Sequence, residues 1–234
     1  MANYHICPVC KEPIKVENYT EHFEKHGKKE EDTDLAIIKR ILDEAKESWK
    51  LKGNNNVVSL YFEIAKRVFS EVEKIDTSTY NYVFDSEYPD LMSIAKVEVP
   101  SPHPAIMCAP KFRIKDKALF EKLLRKYRGT PKEQMLKDMV SKRIPTVVVF
   151  GKELTKQFIE WKSKGMTASD ITIMTVYFFL HEMYHIEGFG EKDSSVKASI
   201  AVQKIFGQRV SIPEHEIERW KFEEKQRKQE SENP

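Results

Sequence analysis

His181-Glu182-Met183-Tyr184-His185 reads H-E-x-x-H, the one place where several chemically capable side chains fall at a spacing that geometry can use. On a helix, side chains four positions apart stand one turn above each other on the same face. His181 and His185 can therefore offer both imidazoles to one metal ion while Glu182 reaches beside it. That is a zinc site with a base attached, and it suits metal-assisted hydrolysis. A four-coordinate catalytic zinc takes three protein ligands and keeps one position for water. Gly188 can adopt the left-handed conformation that ends helices and lets the chain double back. The next carboxylates, Glu191 and Asp193, then come round toward the histidines. Glu191 is the first candidate for third ligand and Asp193 its rival; Glu214, His215 and Glu218 are more distant alternatives.

A second set of metal-binding types opens the chain. Cys7-Pro8-Val9-Cys10 is followed by His22 and His26, a C-x2-C-x11-H-x3-H spacing. Two free thiols and two imidazoles one helical turn apart complete a tetrahedron around a structural zinc. The segment resembles a two-Cys, two-His zinc finger, with Ile14 and Tyr19 where the small apolar core is needed. It is too short to fold without metal. By that resemblance, Lys15, Asn18 and Glu21 are the side chains a DNA-reading finger presents to bases. A lone finger covers only about three base pairs, and Glu17, Glu21 and Glu24 dilute the charge of Lys11, Lys15 and Lys25. A protein partner, or docking on its own domain, is as good a destination as nucleic acid.

The run His181-Glu182-x-x-His185-x-x-Gly188-x-x-Glu191 resembles the long metzincin signature, with Glu where the third His usually stands. More broadly, the chain looks like the single-domain zincin-type metallopeptidases of phages and archaeal viruses, over roughly its last two fifths. No methionine follows Met183, so the methionine turn of metzincins is missing. What carries over is zincin chemistry: a zinc held by His181, His185 and Glu191, with Glu182 as general base, cleaving a protein or peptide substrate. The resemblance also implies an edge strand beside the cleft that pairs with extended substrate. No group that stabilises the oxyanion follows from the motif; Tyr184 and His215 are the side chains to examine for that role.

The elements that must position these groups come next. Thr167-Ala168-Ser169-Asp170 is rich in capping residues, and Ile171, Met174, Phe178, His181 and His185 recur at steps of three and four. Val176, Tyr177, Phe179 and Leu180 make this helix apolar nearly all round, so it belongs in a core. Upstream, residues from Asp34 to about Lys52 and from about Val57 to Lys74 carry amphipathic stripes expected to pack as a hairpin. Between Ser78 and Ile114 the pattern changes to short strands and turns: Tyr80 to Phe84, Ile94 to Val99, and Ala105 to Phe112. His103 falls in the proline-rich part of that stretch, where an exposed histidine is the default. Helices follow from Asp116 to Arg128 and from Pro131 to Lys142, with Thr130 placed to cap the second. Ile144 to Phe150 is the strongest strand; Pro145 near its start argues for an edge, and the zincin resemblance makes the run the candidate for substrate pairing, with an ordinary core strand as the equal alternative. A helix from Leu154 to Lys164 leads to the metal helix. Ser194 to Phe206 is another, and Pro213 starts a last one that becomes polar by Lys225.

Domain organisation follows: residues 1–27 a ββα finger, 28–33 a charged linker, 34–224 an α+β, mostly helical zincin-like domain with a small mixed sheet, and 225–234 a polar tail. With 39 basic and 37 acidic residues the net charge is +2, so no global field draws the chain to nucleic acid or an anionic membrane. No apolar run approaches the roughly 20 residues that span a bilayer. The three cysteines are too few for a disulfide framework, with Cys7 and Cys10 paired in spacing and Cys108 alone. A cytoplasmic protein is the expectation. The other reading to carry forward is a nucleic-acid-binding regulator whose finger is the active part.

Overall fold

In the computed structural model the described residues are 3–26, 35–51, 56–96, 106–109, 113–114, 116–141, 144–214, 216–218 and 220–222. The linker, the capping position at Asp34, His103, His215 and the polar tail lie outside them. Two short strands, β1 (Asn3–Ile6) and β2 (Pro13–Lys15), precede helix α1 (Tyr19–Glu24). Helices α2 (Leu35–Leu51) and α3 (Val57–Glu73) pack on each other, as their stripes require. Asn56 caps α3 through its side chain, which accepts the Val58 N–H at 2.9 Å.

Next come β3 (Asn81–Phe84), helix α4 (Pro89–Ile94), and β4, β5 and β6 (Ala95–Lys96, Met107–Cys108 and Arg113–Ile114). The expected strand from Ile94 therefore starts a residue late and is preceded by a helical turn. Pro89 at its first position needs no N–H there and brings a helical φ. Helices α5 (Lys117–Lys126) and α6 (Pro131–Val140) follow. Asp116 caps α5, accepting the Leu119 N–H at 3.0 Å. Thr130 occupies the corresponding position on α6, but its hydroxyl donates instead to the Tyr127 carbonyl.

Strand β7 (Thr146–Val149) leads into α7 (Gly151–Ser163), α8 (Ala168–Ile186), α9 (Glu191–Phe206) and β8 (Ile212–Pro213). Contrary to the expectation of an edge, β7 is the middle strand of a mixed sheet ordered β3-β7-β5, parallel to β3 and antiparallel to β5. Pro145 precedes the ladder, so its missing N–H costs no strand pairing, while its carbonyl still accepts from Asn81 N. All four β7 side chains are buried. Helical structure with small mixed sheets makes this an α+β chain.

The main core lies where α3, α8 and α9 meet each other and the sheet. Phe179 of α8 is fully buried, with its ring 5.0 Å from Phe62 and 6.0 Å from Tyr82. The Phe69 ring packs at a tilt against Tyr184, 4.8 Å between centres. Burying each such ring is worth about 1.5–3 kcal/mol, so α8 is anchored in the main core by its aromatic side chains. Among the described residues no helix is long and apolar enough to cross a membrane.

Candidate metal centres

Helix α8 starts at a reciprocal cap. The Asp170 N–H donates to Thr167 Oγ1 and the Thr167 N–H to Asp170 Oδ2. It ends at Gly188, whose φ is 93°. The Gly188 N–H donates to the His185 carbonyl and the Phe189 N–H to the Tyr184 carbonyl. This is a Schellman closure, completed by Phe189 packing edge-on against Tyr184 at 5.9 Å. The turn reverses the chain, so that α9 begins at Glu191 and runs back along α8.

That reversal brings His181, His185 and Glu191 together. The two Nε2 atoms are 2.9 Å apart, and the Glu191 oxygens lie 3.1 Å from His185 Nε2 and 3.3 Å from His181 Nε2. A tetrahedral ion with bonds of about 2.0–2.1 Å sets its ligands roughly 3.3 Å from one another, so these separations suit one metal. Chemistry agrees with geometry. His185 Nδ1 lies 2.9 Å from the Phe189 carbonyl, which can only accept. The neutral ring thus carries its proton on Nδ1 and turns a bare Nε2 lone pair inward. Ser195 Oγ, 3.1 Å from His181 Nδ1, can accept the other ring's N–H in the same way. Two lone pairs and a carboxylate then face one another, an arrangement that a cation resolves. Asp193, by contrast, is exposed on the first turn of α9, and Glu214 and Glu218 are not in the cluster.

Glu182 is buried beside this triad, and its Oε2 accepts the Ala109 N–H at 2.7 Å. Burial pushes its carboxyl above the usual carboxylate range. The nearby His181 and His185 and the Ala109 N–H pull it down, but not enough to cancel. His185 is shifted upward too. Burial acts against its charged form, yet the Glu191 hydrogen bond, the charges of Glu182 and Glu191 and the Phe189 carbonyl outweigh it.

The triad opens onto a cavity of about 540 Å³. His181, Glu182, Glu191 and Ser195 line it together with apolar side chains, Met107, Trp161, Phe178 and Trp220 among them, and with the charged Glu160, Lys164 and Glu216. Tyr177, one turn before His181, is hydrogen-bonded to Ser195, and burial pushes its phenol up. Trp220 keeps its indole N–H buried and without a partner among the described residues. Tyr184 faces the other way: it is buried and donates to Glu73 Oε1 at 2.7 Å, which removes it from consideration as an oxyanion donor.

Sequence reasoning missed Ser195, Tyr177 and the Ala109 N–H. Tyr177 carried a usable signal, its four-residue offset from His181. The other two carried none, since nothing local links residues 195 or 109 to the motif.

At the N-terminus, Cys7, Cys10, His22 and His26 bring one donor atom each within 4.8 Å of all the others. Cys10 Sγ is 3.3 Å and His26 Nε2 3.1 Å from His22 Nε2. The knuckle between the cysteines is closed by Lys11 N–H to Cys7 O at 2.8 Å, with Lys11 at a φ of 64°. Tyr19 and Phe23 are buried behind the cluster and Ile14 packs on them. Lys15, Asn18 and Glu21 are all exposed, and Glu21 is paired with Lys25 at 2.8 Å.

Both donor sets fit a metal ion. No family model, curated protein or solved structure matches the chain. The sites must be read from their own residues.

Proposed function

We propose that the chain is a zinc-dependent peptidase. The observation that carries this reading is the convergence of His181, His185 and Glu191 on one point, at a cavity lined by His181, Glu191 and the buried Glu182. Two imidazoles and a carboxylate form a donor set suited to a catalytic zinc, and two thiols with two imidazoles to a structural one. When bound, zinc supplies Lewis acidity, polarising a carbonyl and bringing the pKa of a coordinated water to about 7.

The remaining work falls to the chain's own groups. Ser195 and the Phe189 carbonyl hold the two imidazoles in the tautomer and orientation that ligation needs. Glu182, held by the Ala109 N–H and raised in proton affinity by burial, takes the proton of the attacking water and passes it to the leaving amine. Strand β5 replaces the Ile144 to Phe150 run as the candidate for substrate alignment. Met107 lines the cavity, and among the described residues β5 pairs only with β7, which makes it an end strand of its sheet and the candidate to align an extended peptide. Tyr177 is the nearest phenol to the site on α8 and the better candidate for a donor to the oxyanion.

Two measurements test the proposal. Metal counting should give two zinc ions per chain, one lost in His181→Ala and the other in Cys7→Ser. Glu182→Gln should keep both ions and lose cleavage of an unfolded protein substrate; undiminished cleavage would mean another base. The regulator reading draws on the exposure of Lys15, Asn18 and Glu21. It predicts salt-steep, finger-dependent binding of nucleic acid with no change in Glu182→Gln.

A further inference from the structure

The N-terminal segment does not stand apart from the rest. Strand β1 is hydrogen-bonded on one side to β2 and on the other to β8, with Asn3 opposite Pro213 and Tyr4 opposite Ile212. Below that pairing, Ile6 is buried in a cluster of its own with Val196, Ile212, Ile217 and Trp220. His5 Nδ1 donates to the Val210 carbonyl at 3.2 Å, and the Arg209 guanidinium lies 4.4 Å from the centre of the Tyr19 ring. Backbone pairing, apolar burial and a cation stacked on an aromatic ring thus all join the Cys/His segment to residues 196–220.

The surface it joins is also the wall of the candidate catalytic cavity. Val210, Ile212, Pro213 and Trp220 line that cavity. Val196 follows Ser195, which holds His181. β8 has two residues, and among the described residues β1 is its only strand partner. A strand of that length has no stability of its own. The Cys/His segment in turn is too small to fold on its apolar contacts alone and depends on its metal.

We infer that the Cys/His cluster is an internal brace for the cavity: metal bound by Cys7, Cys10, His22 and His26 orders β1, and β1 orders the wall formed by Val210, Ile212, Pro213 and Trp220. Occupancy of the N-terminal site is thereby coupled to the shape of the other, through two short strands and the Ile6 cluster. The role is intramolecular and requires neither nucleic acid nor a second protein.

Hydrogen exchange on the full-length, zinc-loaded chain tests it, followed by mass spectrometry of peptides spanning residues 208–217. A Cys7→Ser/Cys10→Ser variant removes two ligands. Ile6→Ala leaves all four in place and trims only the docking contact. In both, exchange across 208–217 should accelerate by about tenfold or more, while α3 keeps its protection. Metal content should fall by one ion in the first variant and stay at the parent value in the second. If the double variant also loses protection in α3, Ile6→Ala decides alone. Parental exchange across 208–217 in Ile6→Ala, or in a double variant whose α3 stays protected, overturns the inference. Exchange does not depend on catalysis, so failure here is distinct from failure of the peptidase reading, which Glu182→Gln decides.

Discussion

Replacing Ser195 by alanine removes the oxygen that stands 3.1 Å from His181 Nδ1, at a position only 4 % exposed. The backbone of α9 is untouched, and the methyl group fills nearly the same space. What changes is the hold on one imidazole. Without Oγ, the His181 ring can rotate or place its proton on Nε2, and either removes a lone pair from the triad. Loss of such a supporting hydrogen bond typically weakens metal binding by about 10–100-fold, or roughly 1.4–2.7 kcal/mol. The assay is competition with a graded series of chelators. Occupancy of the Cys/His cluster, which Ser195 does not ligate, is read in the same titration so that loss there is not counted as loss at the triad. Ser199→Ala, one turn further along α9 and equally buried, is the control and should change affinity by less than about twofold. Ser195→Ala binding its second ion as tightly as the parent would refute the assignment of Ser195 as the group that orients His181.

Two further substitutions probe the ends of the metal helix. Gly188→Ala meets no neighbouring atom but must hold a φ of 93°, so the cost is backbone strain, about 1–2 kcal/mol in denaturant unfolding. Since the same turn presents the Phe189 carbonyl to His185, metal affinity should fall with it. At the other end, the Thr167 hydroxyl and N–H hold the Asp170 carboxyl below its ordinary value of 3.8. A depressed carboxylate contributes stability that is present above its unfolded value and is lost as pH falls through the folded one. The gap in melting temperature between the parent and Asp170→Asn should therefore be widest near neutrality and close below about pH 4; a gap that is flat with pH would contradict the cap.

Much of α8 was legible because its signals are local. The cap at Thr167 and Asp170, the four-residue offset between His181 and His185, and the stop at Gly188 each depend on neighbours within a turn or two. Helical geometry converts that spacing directly into position. The same holds for the Cys7/Cys10 knuckle and the His22/His26 pair. Strand order was not legible. Pro145 suggested an edge, but whether a proline interrupts a ladder depends on where the ladder begins, and that is decided by the alignment with β3 and β5.

By itself the sequence determined which residue types could meet a metal and the helix that would carry two of them, since one helical turn is a short-range fact. Only the tertiary structure brought Glu191, and not Asp193, Glu214 or Glu218, to the two imidazoles, because the path of the chain after Gly188 sets which carboxylate returns. It alone brought Ser195 to His181, the Ala109 N–H to Glu182, and β1 to β8. Those contacts join residues 14, 73 and about 209 positions apart, and no periodicity in a chain records a partner that packing supplies from so far away.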